Sequence, residues 1–143
     1  MWRTIGSIVA GLAVWAVVVT LLNFGLRAGI PGYHAAGATL KFTLAMKAGR
    51  LIEAALSSIA AGAVVSLVEP SKRWAPWAVG LIILAIFVPV HVSLWSKFPI
   101  WYHLAFLVPL APLVALGASI IARSGIAKPT AKREGRVQTE SRA

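Results

Sequence analysis

The sequence predicts an all-α protein, an integral membrane bundle of four transmembrane helices with a disordered basic C-terminal tail, and three observations carry that expectation. Of the 143 residues, 59 % are hydrophobic and 13 % charged, and the mean hydropathy is +0.82, more apolar surface than a soluble fold of this size can hide. The apolar residues stand in blocks of about twenty rather than at the spacing of one helix face, so lipid replaces the water that a soluble helix meets on its polar side. The 14 Lys and Arg residues, which give a formal net charge of +10, flank or follow those blocks. That placement speaks for topology signals and anionic-lipid contacts and against nucleic acid, which needs basic residues on a soluble surface with polar or aromatic readers among them.

Residues 4–26 carry no charged side chain and only one strongly polar one, Asn23, and a helix of that length crosses the roughly 30 Å hydrocarbon core. Arg3 gives a short basic start, but the apolar stretch outruns the roughly 7–15 residues of a signal-peptide core and no A-x-A site follows, so the block is read as a first span and not as a cleaved leader. Gly29, Pro31, Gly32 and Gly37 mark residues 27–37 as a loop. Residues 38–68 are patterned as a helix, yet Lys41, Lys47, Arg50 and Glu53 fall in its first half and the uncharged run 54–68 is too short to cross. This span is therefore assigned to residues 46–68, with Arg50 and Glu53 inside the bilayer and Lys41 and Lys47 snorkelling toward the headgroups.

Pro70 closes that helix and Pro76 suits the first turn of the next. The third span is assigned to residues 76–96 and the fourth to residues 100–122, both uncharged with His91 and His103 neutral, joined by a turn around Lys97 and Pro99. Pro89, Pro109 and Pro112 are expected to kink these helices rather than break them. Residues 1–122 thus make a four-helix transmembrane domain. Residues 123–143, with six basic side chains and almost nothing to bury, are expected to be a flexible cytoplasmic tail.

Four spans leave the amino end, the loop around Lys72 and Arg73 and the tail on one face, with nine basic residues there against Arg27 and Lys97 near the span ends opposite. The positive-inside rule then places both termini in the cytoplasm. Trp2, Trp74 and Trp77 would form an inner aromatic belt and Trp95, Trp101, Tyr102 and Tyr33 an outer one, while Trp15 lies at mid-membrane, packing or facing lipid. A bacterial plasma (inner) membrane is the expected location, since the chain is compact, lacks cysteine and carries no organelle-targeting segment.

Chemical tools are few. With no cysteine and no aspartate, disulfides, thiolate ligands, thiol nucleophiles and mechanisms built on Asp are excluded, and no P-loop, zincin motif or nucleophile elbow occurs, so no enzyme activity is expected. Ala54, Ser58, Gly62 and Ser66 recur every four residues, a small-residue stripe along which another helix backbone can approach, and Ser7 and Gly11 offer a shorter one. On the same helix, at about 100° per residue, Arg50, Glu53 and Ser57 fall within about 60° of one another with Lys47 beside them. An ionised side chain in hydrocarbon costs roughly 2.5–3.5 kcal/mol on insertion scales, so this face should turn to other helices or water and Glu53 should pair with Arg50 or Lys47. An ion pair that only fixes helix rotation is preferred to a functional site. As a site, the surplus positive charge would suit an anionic headgroup, phosphate or carboxylate clamped by Arg50.

His91 and His103 each stand six residues from Lys97, so antiparallel helices would bring them to one depth beneath the outer interface. Such a pair could hold a b-type haem or a metal, but without a further ligand pattern each ring is expected to bond a carbonyl or water, with Trp95, Trp101 and Tyr102 as anchors and no cofactor or metal. The candidate ligand or ion-pair cluster is Lys47, Arg50, Glu53, His91, Trp95 and His103, all in the outer half of the bundle.

In size and span count the chain is similar to the small multidrug resistance transporters, dimers of four-helix subunits built round an acidic residue in the first helix. Here residues 4–26 contain no acid and Glu53 stands on the second helix beside cations, so no residue carries over. Expected partners are the lipid bilayer, anionic lipids at the cytoplasmic face, and a second copy or another membrane protein. The preferred role is an accessory or structural component whose small-residue stripes pack against such a partner, so that Gly62→Leu breaks association. The alternative is a small transporter or binder of an anionic ligand or lipid that depends on Arg50 and Glu53, and a haem or redox role ranks third.

Overall fold

The structure, a computed structural model, describes residues 1–126 and is helical apart from short connections. In chain order the helices are α1 (Trp2–Gly29), α2 (Tyr33–Thr39), α3 (Leu44–Val68), α4 (Ala75–Ser93) and α5 (Ile100–Ser124). All but α2 are long and apolar enough to cross a membrane, so the chain is a small multi-pass membrane protein. Met1, the α3–α4 turn and Gly125 lie at one end of the bundle, called proximal here, and α2 and the α4–α5 turn lie at the distal end. Arg123 and Ser124, assigned from the sequence to the tail, complete α5, which Gly125 ends at φ 72°. The rest of the expected tail, residues 127–143, lies outside the described residues.

The distal connection departs from the sequence expectation. A short helix, α2, occupies the segment read as a loop, and the helix expected from residue 38 begins at Leu44, where the Thr43 side chain accepts a hydrogen bond from the Met46 amide at 3.3 Å. Left-handed backbone at Gly32 (φ 76°) and Leu40 (φ 57°) bounds α2 on either side. Burial is the reason: Tyr33, Ala36, Phe42 and Met46 form a small core of their own, backed by Leu26, Ile30, Leu40 and Phe98. A leucine in the left-handed region costs roughly 1–2 kcal/mol, less than burying several large apolar side chains at roughly 1.5–3 kcal/mol each returns. At the other distal turn α4 stops at Ser93, short of residue 96. There the Leu94, Trp95 and Lys97 amides bond back to Val90, Val92 and Leu94 carbonyls at 2.9–3.2 Å and wind the chain toward Pro99, the N-cap of α5.

Between helices in lipid there is little hydrophobic drive, so contact depends on how closely backbones approach. A Cβ placed on Gly62 would lie 1.8 Å from the Val114 carbonyl oxygen, one on Gly117 2.0 Å from that of Ile59, one on Gly80 2.6 Å from Ala111 Cα and one on Gly11 2.5 Å from Val65 Cγ2. Glycine is therefore required where α3 meets α5, where α4 meets α5 and where α1 meets α3. The α3 stripe of Ala54, Ser58, Gly62 and Ser66 is buried, as are Ser7 and Gly11, but its partners are α5 and α1 of the same chain. This corrects the expectation that the stripe packs against a second protein.

α3 packs most extensively on α5 and α1, α5 packs on α4, and α1 meets α4 only lightly. Ser7 and Gly11 are the only residues of α1 that are fully buried, and both belong to its proximal half. The distal half of the α1–α4 seam is accordingly loosely closed.

Candidate functional site

In that distal half a cavity of about 340 Å³ lies between the four spans. Trp15, Val19, Asn23 and Arg27, spaced every four residues along α1, form one wall; Arg50, Glu53 and Ala54 of α3 form another, and Phe87 of α4 and Phe106 of α5 complete it. Trp15 closes the proximal floor. Its indole N–H donates to Ser58 Oγ at 3.3 Å and its ring meets Phe87 edge-on at 5.3 Å, with Phe106 a further 5.2 Å beyond Phe87. At the distal rim Arg27 Nε donates to Asn23 Oδ1 at 3.0 Å, and Asn23 Nδ2 donates to the Tyr33 hydroxyl at 3.5 Å.

Arg50 and Glu53 stand about 9 Å and about 14 Å along α3 from its distal start, at about 1.5 Å per residue. The ion pair expected between Glu53 and Arg50 or Lys47 does not satisfy the carboxylate: Glu53 is 6 % exposed and its Oε1 has no hydrogen-bond partner among the described residues. The Arg50 charge reaches the carboxyl without a direct ion pair, and both cations lie over aromatic rings. The Arg50 guanidinium lies 5.0 Å from the centroid of Phe42, and its charge reaches the phenol of Tyr33, which burial pushes above its ordinary value and Arg50 draws partly back. Lys47 Nζ lies 6.0 Å from the centroid of Phe98. Cation–π contacts of this kind are worth roughly 0.5–2 kcal/mol. A buried acceptor left without a donor costs roughly 1–3 kcal/mol, and more when charged, so the bundle retains a costly group on the cavity wall. Two arginines against one carboxylate leave the lining with surplus positive charge in an otherwise aromatic and aliphatic surface.

The histidines share one depth, as their spacing from Lys97 implied, but each is the other's partner. His91 Nδ1 and His103 Nδ1 lie 2.8 Å apart, so one ring donates and the other accepts. His103 is fully buried between His91 and Trp95, whose indole stacks on it at 4.8 Å and 14°, and its Nε2 has no partner among the described residues. At Nδ1 each ring thus bonds the other rather than a carbonyl. A b-type haem requires the two ligating rings on opposite faces of a macrocycle, and two Nδ1 atoms in hydrogen-bond contact do not fit that arrangement.

Of the six residues singled out in the sequence, Arg50 and Glu53 share the main cavity, while Lys47, His91, Trp95 and His103 are not on its wall. His91 approaches Arg50 across a separate space of about 60 Å³ that Tyr102 and Phe42 also line. Sequence reasoning missed Asn23, Arg27, Tyr33 and Tyr102. Asn23 was visible as the lone strongly polar residue of the first block, with Arg27 one helical turn on. Tyr33 and Tyr102 were assigned to the outer belt but are 3 % and 4 % exposed, packed into the distal core, whereas Trp95 and Trp101 do face outward. Comparison with protein-family models, with curated proteins and with solved structures gives no match for this chain.

Proposed function

We propose that this chain is a non-catalytic, multi-pass protein of a bacterial plasma membrane, with both termini in the cytoplasm, which binds an amphiphile bearing an anionic group in its distal cavity. The observation that carries the reading is a cavity of about 340 Å³ whose wall combines Arg27 and Arg50 with a single carboxylate and aromatic side chains. Guanidinium groups recognise phosphate and carboxylate by paired N–H donors, and a wall of Trp15, Phe24, Phe87 and Phe106 suits the apolar part of the same molecule. The nine basic residues that the sequence gives to the amino end, the Lys72–Arg73 turn and the stretch from Arg123 onward support the orientation and suit contact with anionic lipids of the cytoplasmic face. In this orientation the cavity belongs to the outer half of the membrane. The competing role as a packing partner loses its main support, because α3 meets α5 and α1 with its small face.

Titration of the purified protein in an uncharged detergent tests the proposal, with short-chain phosphatidylglycerol against uncharged diacylglycerol and intrinsic tryptophan fluorescence as the readout. Charged hydrogen bonds worth roughly 1.5–3 kcal/mol translate into a loss of about 10- to 100-fold in affinity for Arg50→Ala. Lys97→Ala, away from the cavity wall, should leave binding unchanged. Equal affinity for the charged and uncharged lipid in the wild-type protein would end the reading.

A further inference from the structure

The cavity wall carries more information than its positive charge. Glu53 is 94 % buried, being 6 % exposed, and its Oε1 has no hydrogen-bond partner among the described residues. The neighbouring donors lean elsewhere: Arg27 Nε is bonded to Asn23, Asn23 Nδ2 to Tyr33, and Arg50, whose charge reaches the carboxyl, stands over Phe42. A carboxylate on the cavity wall with an oxygen still open favours a ligand that brings a donor, and it takes an N–H⁺ donor in preference to a neutral one. Trp15 and Phe87 beside it offer ring faces that favour a cation as well.

We infer that the occupant is zwitterionic: an ammonium that retains an N–H, at Glu53, joined by a short link to a phosphate at Arg50, as in the headgroup of an ethanolamine phospholipid. This rests on the anionic-group reading above and narrows it. Arg50 and Glu53 are three residues apart on α3, and such neighbours have Cβ atoms roughly 5–6 Å apart, a separation that a phosphate and an ammonium two carbons away can bridge. A quaternary ammonium has no N–H to give Oε1. The volume argues for a lipid rather than a free aminophosphate: about 340 Å³ holds a headgroup and its glycerol but not two acyl chains, which must leave through the loosely closed α1–α4 seam, where Thr20 and Phe24 line the cavity and are themselves exposed.

The inference is tested with short-chain phosphatidylethanolamine, its N-methyl, N,N-dimethyl and N,N,N-trimethyl (choline) derivatives, phosphatidylglycerol and free phosphoethanolamine, each titrated into the detergent-solubilised wild-type protein. The three headgroups that retain an N–H should bind within a few-fold of one another, and the trimethyl form about tenfold more weakly. Glu53→Gln should erase that step while leaving phosphatidylglycerol affinity within about twofold, and Arg50→Ala should weaken every phospholipid. A trimethyl form that binds as well as the parent, or a step that survives Glu53→Gln, overturns the zwitterion assignment; Arg50-dependent binding of phosphatidylglycerol would then leave the anionic-group reading standing. Free phosphoethanolamine binding as tightly as the lipid overturns the choice of a lipid. Absence of any Arg50-dependent binding overturns both readings. The methylation series needs no variant, so the result does not depend on a mutant's ability to fold.

Discussion

Replacing Gly62 by alanine tests whether α3 and α5 are held together by backbone contact. The added Cβ would lie 1.8 Å from the Val114 carbonyl oxygen, 2.7 Å from its carbon and 3.0 Å from the Ala118 nitrogen, whereas ordinary contact begins at 3.4 Å. The α5 backbone must therefore retreat by 3.4 − 1.8 = 1.6 Å at this point. A radial gap of only 0.5–1 Å already forfeits roughly a quarter to a half of a dispersion contact, so the neighbouring contacts along the crossing are largely lost as well. Overpacking costs typically 1–3 kcal/mol, and the upper end applies because the atoms struck are backbone and cannot rotate away. Gly25 provides the control, since a Cβ there meets nothing within 4 Å, and alanine in an open helix position gains roughly 0.5–1 kcal/mol. Reversible unfolding in mixed micelles, followed by helicity and tryptophan fluorescence, should show Gly62→Ala about 3 kcal/mol less stable and Gly25→Ala unchanged or slightly more stable. Light scattering should give the same particle mass for both. Two variants of equal stability, or a Gly62→Ala protein that loses an oligomer while its monomer unfolds as before, would refute the reasoning.

Glu53→Leu should raise stability by roughly 1–3 kcal/mol in the same unfolding assay, because it removes a buried unpartnered acceptor, while abolishing discrimination between headgroups. His91→Leu and His103→Phe should each cost roughly 1–3 kcal/mol by orphaning the other ring, and the double variant should cost less than the sum of the two. At the proximal turn the Ser71 hydroxyl and amide both donate to Glu69 Oε1 and hold that carboxyl below its ordinary value. Its contribution to stability is complete above the ordinary carboxylate range and disappears as pH falls through the lowered folded value. Carboxyl NMR should show Ser71→Ala moving the Glu69 titration upward; an unmoved midpoint would mean that Ser71 plays no part in it.

The membrane spans were legible because they rest on length alone: an uncharged block of about twenty residues has few other uses. Small residues were legible as places of close approach, but not their partners, since Gly62 and Gly117 are indispensable only once the carbonyls of Val114 and Ile59 face them. For the histidines, spacing from Lys97 gave depth, while the rotation that turns Nδ1 toward Nδ1 depends on how α4 and α5 settle against each other. Nothing local marked Leu40 as left-handed; a core assembled from residues 26 to 98 decides it. The same nonlocality decides where the Arg50 side chain points. Helical spacing offered it Glu53, but a long side chain chooses among everything in reach, and Phe42 and Tyr33 arrived through a helix that the sequence did not announce.

α1 is 28 residues long, about 42 Å at 1.5 Å per residue, and its two fully buried residues, Ser7 and Gly11, both lie in its proximal half. A rod longer than the roughly 30 Å slab it crosses, and packed most closely near one end, adjusts to a thinner slab by tilting its more exposed half. Acyl-chain length thereby becomes a control on the aperture beside α4: bilayers of shorter lipids should widen it and longer lipids narrow it. Distances between spin labels at positions 20 and 86, measured across a series of chain lengths, would follow that aperture directly.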